Sequence, residues 1–238
     1  MERRFSASKL NTYKDCPRQY RYRYVDKIKV EENQLYFEKG NYFHFIFEKY
    51  PNKPTSNFEF KFSTPAMIAD YRNKIREVLQ NSAFRSILEL PKSQREIKFE
   101  FTFPESEGDL VFNGYIDWLR RSGHYARVIS WKTGRFYPNK TLDQLRLYAI
   151  FIFLNYPEIN TIDCSYYYVE QGEESKYIFQ RDTLAESMEY FLNLINMIEA
   201  DTEYLKNVTK LCSHCSYFAM CKPYNVATKL KSEKENYG

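Results

Sequence analysis

The sequence predicts an α/β or α+β domain built on a mixed central sheet flanked by helices. Three observations carry this expectation. Helical patterns occupy the first third of the chain, strand-like runs dominate its middle, and a long helical pattern follows them. Two β-rich runs flank Arg121-Ser122-Gly123 and read as a hairpin, because the turn between them contains glycine. At 238 residues, without repeats, low-complexity tracts or Gly/Ser linkers, the chain suits one domain, or one domain with a small appended subdomain.

The elements follow in order. Ser6 and Ser8 precede the helical pattern of Leu10 and Tyr13 and form an N-terminal cap region; Cys16-Pro17 interrupts it and a second helical turn follows. A helix from about Glu38 to Tyr50 stops before Pro51, and two more cover Pro65 to Gln80 and Ser82 to Leu90. Strands run from Arg95 to Phe103, Leu110 to Arg120 and Tyr125 to Trp131, with the hairpin joining the last two. Thr141 to Leu154 is helical. Strands over Ile162 to Glu170 and Lys176 to Gln180 then precede a helix from about Thr183 to Leu205.

MERRFSASKL has no apolar core of a signal peptide, and no run reaches the roughly eighteen apolar residues of a membrane span, so a cytoplasmic protein is the expectation. The net charge of +4 does not by itself announce a nucleic-acid partner. Aromatic content says more: 22 Tyr and 19 Phe exceed the needs of an ordinary core, and many sit beside Lys or Arg. In RQYRYRYVDKIK, Arg18, Arg21 and Arg23 interleave with Tyr20, Tyr22 and Tyr24. Such a segment suits a groove that stacks bases and neutralises phosphates. It equally suits an amphipathic segment with packed tyrosines and solvated arginines.

Cys212, Cys215 and Cys221 form the C-x2-C-x5-C cluster CSHCSYFAMC, and Cys16 stands far away in CPRQY. Clustered thiols in a reducing compartment are metal ligands more often than disulfides, and four thiolates satisfy an iron-sulfur cluster or a structural zinc. His214 keeps zinc open. Cys164 lies in an apolar strand pattern, where a buried free thiol is the ordinary explanation.

An acid in mid-strand is costly unless it binds something, and Asp117 in NGYIDWLRR is such an acid. Lys132 ends the following strand in ARVISWKTGR, and strand periodicity puts Ser130 on its face. Phosphodiester hydrolysis with a divalent cation calls for carboxylates and a nearby positive group; a nuclease would want a carboxylate at 130, where this chain has serine. His44 in GNYFHFIFEKY is more often a satisfied core residue than a ligand in such a setting. Gln144 and Tyr148, four apart in DQLRLYAIF, share a helix face.

Taken in order, SASKLNTYKDCPRQY, GNYFHFIFEKY, GYID, VISWKTG, QLRLY and the final C-x2-C-x5-C resemble the PD-(D/E)XK nucleases. The resemblance is to the RecB-like branch that includes the AddB nuclease domain and the four-cysteine CRISPR-adaptation exonucleases. It implies a restriction-endonuclease-like core and a cysteine-cluster subdomain formed by about 1–30 and 205–238. His44 and Asp117 would be ligands of Mg or Mn, with the Trp131 carbonyl a third. Lys132 would orient or activate water and stabilise charge on the phosphate, and Gln144 and Tyr148 match an element that positions DNA and the lysine. Cys16, Cys212, Cys215 and Cys221 would hold a structural 4Fe-4S cluster, with zinc the alternative.

Ser130 departs from the family, which places Asp or Glu there as a principal metal ligand. An engineered substitution, a natural relic that keeps its DNA-binding shell, or a carboxylate moved elsewhere would each account for it, and the first two are favoured here. Glu96 and Glu100 are candidate replacements only if their geometry reaches. The implied function is a metal-dependent nuclease acting on single strands or DNA ends in repair, recombination or CRISPR and phage DNA processing, with catalysis impaired by Ser130. Helicase, recombination or adaptation proteins are the implied partners. The alternative is a non-catalytic nucleic-acid-binding or complex-assembly module on the same fold.

Overall fold

The computed structural model describes residues 3–31, 34–51, 57–103, 109–136 and 141–222. In chain order the elements begin with β1 (Arg3–Phe5), α1 (Ala7–Asp15), α2 (Pro17–Tyr20), a π-helical turn (Arg21–Val25) and α3 (Gln34–Lys49). Next come α4 (Pro65–Gln80), α5 (Ser82–Leu88), β2 (Gln94–Phe103), β3 (Leu110–Ser122) and β4 (Tyr125–Lys132). The remainder is α6 (Asp143–Asn155), β5 (Thr161–Tyr168), β6 (Glu173–Gln180), α7 (Leu184–Ala200) and α8 (Phe218–Cys221). No helix among the described residues is long and apolar enough to cross a membrane. The chain forms two compact units, one of Met1–Ala7 with Gln34–Asn193 and one of Ser8–Asn33 with Leu194–Gly238.

The larger unit is the mixed α/β core that the sequence implies. Its sheet is centred on β3, which pairs antiparallel with β2 along one edge. On its other edge β3 pairs with β4 antiparallel over Trp118 to Ser122 and with β1 parallel over Leu110 to Phe112. A crossover through α6 sets β5 parallel to β4, and β6 closes the sheet antiparallel to β5. The β3–β4 hairpin has the tight turn foreseen for it: Ser122 pairs with Tyr125, and Gly123 adopts φ +57, which glycine reaches without a Cβ penalty.

Aromatic side chains fill this core. Tyr42, Phe43, Ile46 and Phe47 of α3 pack with Phe84 and Leu88 of α5 and with Trp118, Ile129 and Trp131 of the sheet. Trp131 lies 5.7 Å from Phe47 and 5.3 Å from Phe84, ring to ring. Elsewhere in the unit, Phe99 meets Tyr148 and Phe151 of α6 at 5.7 and 5.3 Å, and Phe112 meets Phe191 of α7 at 5.6 Å. Much of the aromatic surplus is therefore core, which its sheer number in the sequence concealed.

Several boundaries shift for identifiable reasons. β1 is a short strand with no periodicity to reveal it, recruited by pairing with β3. The helix expected up to Leu90 ends at Leu88, whose carbonyl accepts from the Arg95 guanidinium. The last long helix ends at Ala200 rather than Leu205, because Asp201 Oδ1 accepts from the amides of Glu203 and Tyr204 and turns the chain away.

Gly114 sits directly opposite Phe99 in the β2–β3 register. A Cβ at Gly114 would lie 2.8 Å from two atoms of the Phe99 ring. That ring is itself held between Phe101, Tyr148 and Phe151. Gly114→Ala is therefore expected to lower the urea midpoint with an unchanged slope, at a cost of about 1–3 kcal/mol for overpacking. An unchanged midpoint would mean that the ring moves aside freely.

Candidate active site

One row across the sheet brings several of the expected site residues together. Arg95 pairs with Trp118 and Ile97 with Ile116, so Glu96 lies opposite Asp117. On the other edge the β3–β4 ladder stops at Trp118 and Ile129, and one step further along the same register Asp117 lies opposite Ser130. Ser130 in turn pairs with Tyr166 of β5. Where the β3–β4 backbone pairing ends, the Asp117 side chain takes over. Its Oδ2 accepts the Trp131 N–H at 2.8 Å and the Ser130 hydroxyl at 2.9 Å. With one oxygen so occupied, a carboxylate only 6 % exposed is fixed in direction.

The other oxygen faces α3. Asp117 Oδ1 is 3.7 Å from His44 Nδ1, and Glu96 Oε1 is 2.9 Å from the same nitrogen. One ligand atom each from His44, Glu96 and Asp117 lie within 4.8 Å of one another. Magnesium holds oxygen ligands at about 2.0–2.1 Å in an octahedron, which puts neighbouring ligands about 3 Å apart. Two hard oxygens and an imidazole are donors of the kind such a cation takes, gathered here somewhat wider than that spacing. Burial works against a charged His44, but the Glu96 hydrogen bond and the Asp117 and Glu96 charges outweigh it and raise its pKa above the usual value.

Glu96 holds a left-handed backbone, φ +47, near the start of β2. Its neighbour Arg95 is clamped to the ends of two helices, through the carbonyls of Phe47 in the last turn of α3, Tyr50 just after it and Leu88 in α5. Glu100, the other acid considered from sequence, does not reach the site. Its carboxylate pairs instead with Arg4 at 2.9 Å on the surface.

Lys132 closes the row from the strand end. Its Nζ donates to Ser130 Oγ at 2.8 Å and to Gln144 Oε1 at 2.9 Å, and lies 4.9 Å over the Tyr166 ring. Gln144 Nε2 donates to the Tyr148 hydroxyl at 2.6 Å, one turn along α6. Burial first, and then the Asp117 charge, hold the Tyr148 phenol well above its ordinary pKa despite opposing hydrogen bonds from Gln144 and Ser130. Ser130 thus links the two, accepting from Lys132 while donating to Asp117. The Trp131 indole is core, and its backbone amide is committed to Asp117.

In the smaller unit, Cys16, Cys212, Cys215 and Cys221 line one cavity of about 250 Å³ together with Tyr22 and Tyr217. Backbone amides point at the sulfurs: Asn207 N to Cys16 and Thr209 N to Cys212, both at 3.4 Å. Burial raises the Cys215 and Cys221 thiols, and the neighbouring cysteines add to the rise. Cys164 lies apart in the larger unit, fully buried.

The arginine-tyrosine segment is redistributed by folding. Tyr20 is 4 % exposed, packed 5.4 Å from Tyr13 and 5.1 Å from Tyr24 and stacked 6.3 Å from Tyr204, so it cannot stack on a base. Arg18 Nε donates to the Tyr204 carbonyl at 2.8 Å, and Arg21 pairs with Asp26 at 3.3 Å. Tyr22 packs on Tyr217, while Arg23 lies over Tyr24. The segment is a helix end and a π-helical turn, in line with the helical turn expected after Cys16-Pro17, and its geometry sends these residues in several directions.

The family model for the PD-(D/E)XK nuclease superfamily matches residues 4–222. Among solved structures, the crystal structure of SSO0001 aligns with 92 % of this chain and 85 % of its own, at 14 % identity and a TM-score of 0.40. No curated protein matches significantly.

The embrace of His44 sets a pH signature in metal-free protein. Because its folded pKa is raised, its contribution to stability is complete below the unfolded value near 6.5 and is lost as pH rises through the folded value. With EDTA present, His44→Gln should lower Tm most in mildly acidic buffer and least in alkaline buffer. A Tm difference independent of pH would contradict this charge arrangement.

Proposed function

The chain belongs to the PD-(D/E)XK nuclease superfamily, and from that premise we propose that it hydrolyses DNA phosphodiester bonds with Mg or Mn, on single strands or at DNA ends. The observation that carries this reading is the convergence of His44, Asp117 and Lys132 over the middle strands of the sheet, with Gln144 and Tyr148 behind the lysine. In this reading His44 and Asp117 Oδ1 hold the cation, and the Trp131 carbonyl is a third ligand. When bound, the cation supplies Lewis acidity and lowers the pKa of its water.

The remaining steps belong to the protein. Trp131 N–H and the Ser130 hydroxyl hold Asp117 so that its free oxygen keeps one direction. Gln144, itself held by Tyr148, presents the Lys132 ammonium where the scissile phosphate and attacking water would meet. There it orients the water and offsets charge accumulating on phosphate oxygen. The pairing of a helix histidine, the Gln144–Tyr148 element and cysteines split between distant parts of the chain supports assignment to the RecB-like branch, with a cytoplasmic role in repair, recombination or CRISPR and phage DNA processing beside a helicase or adaptation partner. Cys16, Cys212, Cys215 and Cys221 would hold a 4Fe-4S cluster, supported by the shared cavity and the amides aimed at sulfur, since N–H donors stabilise bound thiolates. The exposed members of the arginine-tyrosine segment would contact the backbone of DNA.

Ser130 favours a second reading, in which the same fold binds DNA or assembles complexes without cutting. The two readings separate on end-labelled single-stranded DNA with Mn. A nuclease cuts and is stopped by EDTA; a binding module retains the oligonucleotide in EDTA and leaves it whole.

For the nuclease reading, Lys132→Ala is expected to reduce cleavage by about 10²–10³, as removal of a charge-stabilising donor does elsewhere, while DNA affinity changes only a few-fold. Equal loss of binding and cleavage would make Lys132 a DNA contact only. Iron and acid-labile sulfide in anaerobically purified protein are expected at about four each per chain. One zinc per chain in their place would assign the cysteines to zinc.

A further inference from the structure

We infer that Glu96 supplies the metal-binding carboxylate that position 130 lacks, so that the site is complete with serine at 130; this rests on the metal-dependent reading above. The argument is positional. β3 has a neighbouring strand on each edge at the level of Asp117, and residues 96 and 130 occupy equivalent places on either side of it. Neighbouring strands are spaced about 4.8 Å apart, so a carboxylate from either side can meet the one oxygen of Asp117 that is not hydrogen-bonded. In this chain the acid stands on the β2 side and the hydroxyl on the β4 side.

Three features make Glu96 a ligand rather than a bystander. Its Oε1 already touches His44 Nδ1 at 2.9 Å, and one ligand atom each from Glu96, the histidine and Asp117 lie within 4.8 Å of one another. Its left-handed backbone is disfavoured for a residue with a Cβ. That conformation is held by the Arg95 clamp on one side and the Ile97–Ile116 pairing on the other. Finally, Ser130 Oγ is engaged in joining Lys132 to Asp117, accepting from one and donating to the other, and as a neutral hydroxyl it brings no charge to a cation. The lysine keeps its place through a hydroxyl where the family uses a carboxylate, and the charge for the cation comes from the opposite strand.

The test is Mn2+ titration of the 238-residue chain followed by electron paramagnetic resonance, with cleavage of end-labelled DNA in parallel. The natural chain should bind Mn2+ and cut. Glu96→Gln, which keeps size and hydrogen bonding, should weaken Mn2+ at least about tenfold, the scale on which even indirect partners of a metal act, and cleavage should fall with it. Adding Ser130→Asp to Glu96→Gln should restore Mn2+ binding to within a few-fold, which also shows that the Gln variant folds. If Glu96→Gln binds Mn2+ like the natural chain while His44→Ala does not, the relocation is wrong and the metal site stands. Mn2+ binding and cleavage only after Ser130→Asp in the natural background would equally overturn it. If neither the natural chain nor Ser130→Asp binds Mn2+ or cuts, the metal-dependent reading fails and takes this inference with it.

Discussion

A carboxylate buried between strands must have its oxygens satisfied, and Asp117 is satisfied on one side only. The Trp131 amide and the Ser130 hydroxyl saturate Oδ2, while Oδ1 faces His44 beside a second carboxylate, Glu96. Two acids meeting at one point repel each other, and the charged His44 that they favour is the nearest relief. A divalent cation would relieve the repulsion more completely. The rest of the larger unit is arranged so that this point exists. β3 is flanked on both edges, β4 stops pairing one residue early, and α3 brings its one histidine to the gap.

Rigidity around the site comes from aromatic packing and from charges spent on helix ends. Trp131 anchors β4 between Phe47 and Phe84, so its amide meets Asp117 without freedom to drift. Tyr148 is wedged against Phe99 and steadies Gln144, and through it Lys132. Arg181 does for α6 what Arg95 does for α3 and α5, donating to the carbonyls of Phe153, Tyr156 and Ile159. Such caps satisfy carbonyls that helices leave open and fix where each helix ends. α6 is thereby held at both ends, since Asp143 at its start accepts from Tyr190 at 2.9 Å.

The smaller unit is organised around tyrosines as much as around cysteines. Tyr13, Tyr20, Tyr24 and Tyr204 pack edge and face, and the Tyr13 hydroxyl donates to Asp201 at 2.8 Å. The contacts made to Asp201 and Tyr204 join sequence positions nearly two hundred residues apart, about the separation that divides Cys16 from the other three cysteines. Loop closure over such a span is entropically costly and is offset here by aromatic burial.

By itself the sequence determined the order and type of most elements, because period and breakers are local: Pro65 to Gln80 is a helix to the residue, and the Gly123 hairpin turns where glycine allows it. It also determined the site candidates His44, Asp117, Lys132, Gln144 and Tyr148, because their residue types and order along the chain are unusual together. What it left open depends on contacts that no local pattern encodes. The strand β1 exists only by pairing with β3, Tyr20 is buried only because helix geometry and Tyr204 cover it, and the choice between Glu96 and Glu100 is a matter of which one faces Asp117. Register decided that last point. Pairing fixes a carboxylate opposite Asp117 on one strand and a hydroxyl opposite it on the other, and neither neighbour is within twelve residues of Asp117 in sequence.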